Sequence, residues 1–286
     1  MDTLQAIGIA ILQGATELFP ISSLGHAVVL PAVLGWGLDQ RAPEFLPFLV
    51  LLHTGTAVAL LAYFWRDWLA LGLGVVGAGG QARVRDARRL LVLIVIATIP
   101  AVVVGYGLNT LLRSLFAAPA IAAGFLAVNG IMLLAGDRLR GRAGVTGTLH
   151  KPLTAMTSLD AALIGVWQCG ALLPGISRSG ATIVGGLLRG LDHEGSAHFS
   201  FLIALPVIVG ATVLEVPHLL HASVAPGVFQ QAALAAVVAG TTALLTTAVL
   251  MRYLRGNDQM ALNPFAIYCL VAGVGSAAYL LMRQAA

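Results

Sequence analysis

Hydrophobic residues dominate this chain in long runs, and two polar hairpins of similar make-up interrupt them. Apolar stretches at about 44–65, 90–112, 118–137, 196–214, 229–251 and 263–282 are each long enough to cross a bilayer as a helix, which takes roughly 20 residues. The opening arm, 4–12, is too short for that. Gln13, Glu17, Pro20, Ser22, Ser23, Gly25 and His26 follow it before apolar character resumes to about Trp36. Broken, polar backbone at membrane depth is tolerated only where protein buries it or water reaches it. The pattern therefore predicts a re-entrant helix–loop–helix. The same device returns at 159–190, around Gln168, Pro174, Gly175, Ser177, Arg178, Ser179 and Thr182.

A shift of 155 residues superimposes the two hairpins. Gln13 meets Gln168, Ile21-Ser22 meets Ile176-Ser177, Gly25 meets Gly180 and Gly35 meets Gly190. Matches among Ala, Leu and Val carry little weight in so apolar a chain, but the Gln pair and the Ile-Ser-x-x-Gly pair point to a duplicated unit. Three spans per copy invert the second copy relative to the first. The expected fold is an all-α polytopic membrane protein, an inverted-topology repeat with six transmembrane helices and two re-entrant helix hairpins. It forms a single domain, 1–286, with a first repeat at 1–137 and a second, inverted repeat at 156–286.

Charge orients this arrangement. Of the 16 Lys and Arg residues, Arg41, Arg113 and Arg283 fall on one side. The other side collects Arg66, the cluster from Arg83 to Arg89, the stretch from Arg138 to Lys151, Arg189, Arg252 and Arg255. Positive loops stay inside, so both termini are expected outside, with the site opening to the periplasmic face of a bacterial inner membrane. The stretch 215–228, with Glu215, His218 and His221 but no Lys or Arg, is expected as an external loop. The net charge of +4 does not point to nucleic acid, because the arginines sit in short loops between apolar runs. Only 10% of residues are charged and 58% are hydrophobic, against about 25% charged in soluble domains. Cys169 and Cys269 form no spaced pair, so a disulfide framework or zinc site is not expected. The N-terminus lacks the positive region of a cleaved signal peptide.

The chemistry sits in the hairpins. Gln13 and Glu17 are four apart, on one helical face. Two oxygen side chains there suit a hard cation such as Mg²⁺ that keeps most of its waters, or serve as a structural cap. An ionised Glu in a membrane is costly and usually functional. Ser22, Ser23 and His26 offer hydroxyls beside an imidazole, a nucleophile–base pattern if proton transfer is possible. For Ser22 the helix N-cap is the stronger reading. In the second hairpin, Gly175 permits close backbone approach to an anion. A helix start supplies free N–H groups there, and Arg178 supplies a planar fork for phosphate oxygens. Ser177, Ser179 and Thr182 add donors, while a purely structural Arg178–Glu17 pair is the alternative. His53 lines the cavity or packs. Asp137 to Arg142 reads as a helix end, and His193 and His198 receive no role.

These motifs resemble the undecaprenyl-pyrophosphate phosphatase family, also called the bacitracin-resistance protein family. The likeness rests on Gln13 to His26, on Pro174-Gly175-Ile176-Ser177-Arg178-Ser179 through Thr182, on Ser200-Phe201-Leu202 with Pro206, and on Pro264-Phe265-Ala266-Ile267-Tyr268. The resemblance implies hydrolysis of undecaprenyl pyrophosphate to the monophosphate with Mg²⁺ or Ca²⁺, which recycles the lipid carrier of cell-wall synthesis. It implies Gln13 and Glu17 at the metal and Ser23 with His26 as nucleophile and base. Ser177, Arg178, Ser179 and Thr182 would grip the pyrophosphate. The implied partners are a polyprenyl pyrophosphate and the bilayer, with a homodimer as the assembly. Three positions depart from the family pattern: Gln13 stands where Glu is common, Leu24 where Thr is common, and Cys269 where Arg is frequent. The last two leave open a divergent paralogue acting on another lipid pyrophosphate. The rival class is a transporter of polyprenyl phosphate, since inverted repeats with broken helices are also transporter architecture.

Overall fold

The computed structural model describes residues 3–37, 45–108, 115, 118–142, 151–221, 228–257 and 259–285. Arg41 and Arg113 lie outside the described residues, as do the side chains of Glu215, His218 and His221.

The described chain is helical throughout. Two short helices, α1 (Thr3–Thr16) and α2 (Ser23–Leu34), form the first hairpin. Then come α3 (Phe45–Tyr63), α4 (Trp65–Val75), α5 (Gln81–Gly107) and α6 (Pro119–Arg142). The second hairpin is α7 (Ser158–Gly170) and α8 (Arg178–Leu188), followed by α9 (His193–His221), α10 (Val228–Gly256) and α11 (Asn263–Ala285). Among the described residues five of these helices are long and apolar enough to cross a bilayer, and α3 with α4, bent by 79° at Phe64, make a sixth if the pair counts as one span. Two helices differ from the expected limits: α5 begins at Gln81, taking in the basic cluster, and α9 continues to His221 through the first half of the expected loop.

Packing repeats across the two halves. The α1 arm lies against α10 and the α7 arm lies against α5; α3 crosses α9 and α6 crosses α11. Close crossings need small residues, as membrane helices commonly provide. A Cβ on Gly14 would sit 2.3 Å from the Ala239 carbonyl oxygen, and one on Gly165 would sit 2.5 Å from that of Ala97. Outward faces stay apolar: Val102 and Val103 on α5, Val237 on α10 and Val271 on α11 are exposed within the protein, as lipid contact requires.

Polar contacts gather at one end, some within the second half and others between the halves. Asp160 accepts from Arg189 Nε at 2.7 Å and from Lys151. Asp137 meets His193 Nε2 at 2.7 Å and accepts from the Leu262 amide at 2.9 Å. Arg255 reaches Glu194 at 3.0 Å, and His198 faces Asp67 at 3.4 Å. Burial alone would push the Asp160 carboxyl up, but hydrogen bonds from Lys151, Thr157 and Arg189 outweigh it and hold the carboxyl well below the usual range. The opposite end has weaker ties, such as Arg283 to the Ala32 carbonyl at 3.4 Å.

Candidate active site

The hairpins meet where neither has room for side chains. A Cβ on Gly25 would lie 2.8 Å from Gly175 Cα, and one on Gly175 would lie 2.3 Å from the Ala122 carbonyl oxygen. Gly175 also has φ +109°, a conformation that side chains oppose. Both helices after the crossing are capped alike. Ser22 Oγ accepts from the Gly25 amide at 3.2 Å and Ser177 Oγ accepts from the Gly180 amide at 3.1 Å. Ser22 does so at φ +69°, a strained backbone for a residue with a side chain. Its hydroxyl donates to the Ile176 carbonyl at 3.3 Å, which binds the two hairpins at that point.

Glu17 lies at the centre, only 7% exposed. Its Oε1 receives Arg178 Nη2 at 3.0 Å. Its Oε2 receives Gln13 Nε2 at 2.9 Å, Ser23 Oγ at 2.5 Å and His53 Nε2 at 3.1 Å. Four converging donors suit an ionised carboxylate, which only accepts. His53 Nδ1 donates to the Leu49 carbonyl at 2.8 Å, so its contact with Glu17 requires a proton shared between the ring and the carboxylate. Arg178 is also held by the Ser200 carbonyl at 3.3 Å.

A cavity of about 210 Å³ opens over this cluster. Glu17, Ser22, Ser23, His53, Gln168, Ser177 and Arg178 give it a polar floor; Leu49, Val50, Leu172, Val207 and Ile208 give it apolar walls. A larger cavity, about 390 Å³, lies between α4 and α5. The hairpin charges face the smaller one, and the site is there.

The expected residues divide sharply. Glu17, Ser23, Ser177 and Arg178 come together at the cavity. His26 is buried close by but does not pair with Ser23. Its Nδ1 donates to the Ser22 carbonyl at 2.6 Å, and its Nε2 meets the Tyr268 hydroxyl at 2.8 Å. Both ring nitrogens are thus engaged, and Ser23 turns to Glu17 instead. Ser179 donates to the Phe19 carbonyl at 3.1 Å and is fully buried. Thr182 donates to the Arg178 carbonyl at 2.8 Å and meets Ser200 Oγ at 2.6 Å. Those two hydroxyls hold the hairpins rather than face the cavity, and Gly175 packs on α6.

Two residues outside the motifs matter. His53 lies among apolar residues in sequence, and in the structure its Nε2 is 3.1 Å from Glu17 Oε2. Asn129 on α6 donates to the Pro20 carbonyl at 2.8 Å and accepts from the Ser177 amide at 2.9 Å, so one amide fastens both loops. A lone Asn in an apolar span was the available signal.

For a divalent cation, the donors present are few. No group of three or more His, Cys, Asp or Glu side chains clusters among the described residues. Gln13 Oε1 is buried with no hydrogen-bond partner, one turn from Glu17. An orphaned acceptor beside a carboxylate fits Mg²⁺, which takes one or two protein oxygens and completes its shell with water and phosphate.

Comparison with known proteins gives the family. A family model described as bacitracin resistance protein BacA matches residues 6–275. A protein of Granulibacter bethesdensis named undecaprenyl-diphosphatase is 64% identical, covering 98% of this chain and 97% of its own. Proteins of the same name from Acidiphilium cryptum and Gluconacetobacter diazotrophicus are 56% and 54% identical, each covering 96% of both chains.

Proposed function

Because the chain belongs to the bacitracin resistance protein BacA family, we propose that it hydrolyses undecaprenyl pyrophosphate to undecaprenyl phosphate and inorganic phosphate, recycling the carrier lipid of the cell wall. The observation that carries this reading is the Glu17–Arg178 pair on the polar floor of a cavity with apolar walls. Such a cavity suits an amphiphile with an anionic head. Arg178 exchanges its contact with Glu17 for the diphosphate, gripping two oxygens with its fork. Neutralising the charge spread over phosphoryl oxygens is most of what phosphoryl transfer asks of a protein.

Ser23 is the nucleophile in this reading. Its hydroxyl already donates to Glu17 at 2.5 Å, so its proton passes to that carboxylate as Oγ bonds to the terminal phosphorus. The bridging P–O bond breaks and the lipid monophosphate leaves. Water then hydrolyses the phosphoserine and releases phosphate. His26, bonded to Tyr268, positions the Ser22 turn rather than serving as base. Mg²⁺ or Ca²⁺ belongs to the proposal: Gln13 and Glu17 would hold it, and it would supply further charge neutralisation at the diphosphate. The test is phosphate release from undecaprenyl pyrophosphate by purified protein, with and without EDTA. Release that EDTA suppresses supports the reading. Lipid translocation without release would overturn it in favour of a transporter.

The proposal extends to orientation and assembly. Termini in the periplasm and an outward-opening cavity are argued from the basic residues gathered on one side, and a bacterial inner membrane from the carrier-lipid substrate. In a background with Cys169 and Cys269 replaced, a membrane-impermeant thiol reagent should label His221→Cys but not Arg85→Cys in intact cells. The reverse pattern overturns the orientation. Repeats at 1–137 and 156–286 fit the paired helix packing. A homodimer is tested by the mass of the protein in detergent.

A further inference from the structure

The 155-residue offset brings related positions of the two halves into the same cavity, and their chemistry differs. Glu17 corresponds to Leu172, and His53 corresponds to Ile208. All four line the cavity. Glu17 and Leu172 sit in the two hairpin loops, and the helices that carry His53 and Ile208, α3 and α9, cross each other, with Thr54 and Thr212 hydroxyls 2.8 Å apart at the crossing. One face of the cavity thus holds the carboxylate and imidazole. The equivalent face holds two branched aliphatic side chains.

We propose that the cavity joins a headgroup floor, where Arg178 of the second half meets Glu17 and His53 of the first, to an isoprenoid wall. Leu172 and Ile208 form the wall that seats the first isoprene units of the substrate. The inference rests on the lipid-diphosphatase reading and deepens it, since it names the residues that choose the alcohol of the ester. The charges explain why a duplicated chain needs only one site. An acid at 172 or an imidazole at 208 would place a second polar group where the hydrocarbon has to lie, and burying it unpaired is costly. Val207 and Ala211, one turn apart on α9, continue the apolar wall. On the other face Leu49 and Val50 flank His53, so the hydrocarbon leaves the headgroup between α3 and α9.

The experiment measures farnesyl diphosphate hydrolysis together with inhibition by inorganic pyrophosphate, which carries the headgroup chemistry and no hydrocarbon. Leu172→Asn and Ile208→Asn should each raise KM for farnesyl diphosphate about tenfold, as expected for losing a buried aliphatic contact. Turnover and the inhibition constant of pyrophosphate should stay within about twofold of wild type. Leu172→Met and Ile208→Val keep apolar bulk and should restore KM, which separates the wall from a fold defect. An unchanged KM in the Asn variants would overturn the proposal. So would equal weakening of pyrophosphate, because these residues would then act on the headgroup or the fold. A wild-type protein that hydrolyses no prenyl diphosphate would instead sink the phosphatase reading itself.

Discussion

The two hairpins carry out one structural task with opposite chemical results. Ser22 and Ser177 cap equivalent helices through the same hydroxyl-to-amide bond, and Gly35 and Gly190 both end those helices with positive φ. Yet Ser22 sits at φ +69° while Ser177 sits at −79°. The first hairpin contributes the carboxylate and the second contributes the guanidinium. Their anchorage differs as well. The α7 arm is fastened by Asp160 to Arg189 and Lys151, whereas the corresponding position of α1 is Gln5. The two hairpins share a frame, and differences at a few positions within it make an asymmetric site. The relaxed hairpin presents Arg178, and the strained one presents Glu17 with Ser23.

Glu17→Gln tests the comparison most severely. It removes the only carboxylate at the cavity among the described residues, and phosphate release should fall by about a thousandfold. Wild-type turnover and an unchanged metal titration in this variant would make Glu17 structural. Next comes the second hairpin's contribution. Arg178→Lys keeps the charge but loses the fork, and turnover should drop about a hundredfold. Near-normal rates would mean that long-range charge alone suffices.

Anchorage is probed by Asp160→Asn. The buried acid loses its charge opposite two cations, and stability should fall by about 2 kcal/mol, read as a lower unfolding midpoint in detergent. The pH dependence has a definite sign. With the folded carboxyl held below its unfolded value, its stabilisation is present above about pH 4 and is lost as pH falls further. The wild type should lose more stability than Asp160→Asn on acidification below that point. Parallel curves would show that Asp160 contributes no charge-dependent anchorage.

The smallest effect belongs to Gln13→Glu. A second carboxylate one turn from Glu17 should lower the metal concentration for half-maximal rate about threefold, with turnover preserved. An unchanged metal curve would remove position 13 from the cation site.

Much of this molecule could be read from order along the chain. Long apolar runs can cross a bilayer only as helices, so the spans and the two short broken arms were legible from hydropathy and spacing. Glu17 and Arg178 stood out because an unpaired charge among apolar residues is expensive and therefore has a purpose. Tertiary structure alone decided how the polar side chains are spent. His53 reaches Glu17 from 36 positions away, Asn129 fastens Pro20 and Ser177, and Tyr268 occupies the nitrogen that His26 would have needed to act on Ser23. A hydroxyl in a motif has donors and acceptors to satisfy wherever it is buried. For Ser179 and Thr182 the partners are backbone carbonyls and the hydroxyls of Ser177 and Ser200. Hydrogen-bond direction depends on distances across the fold, and these partners, brought together by folding, leave no trace in the local sequence pattern.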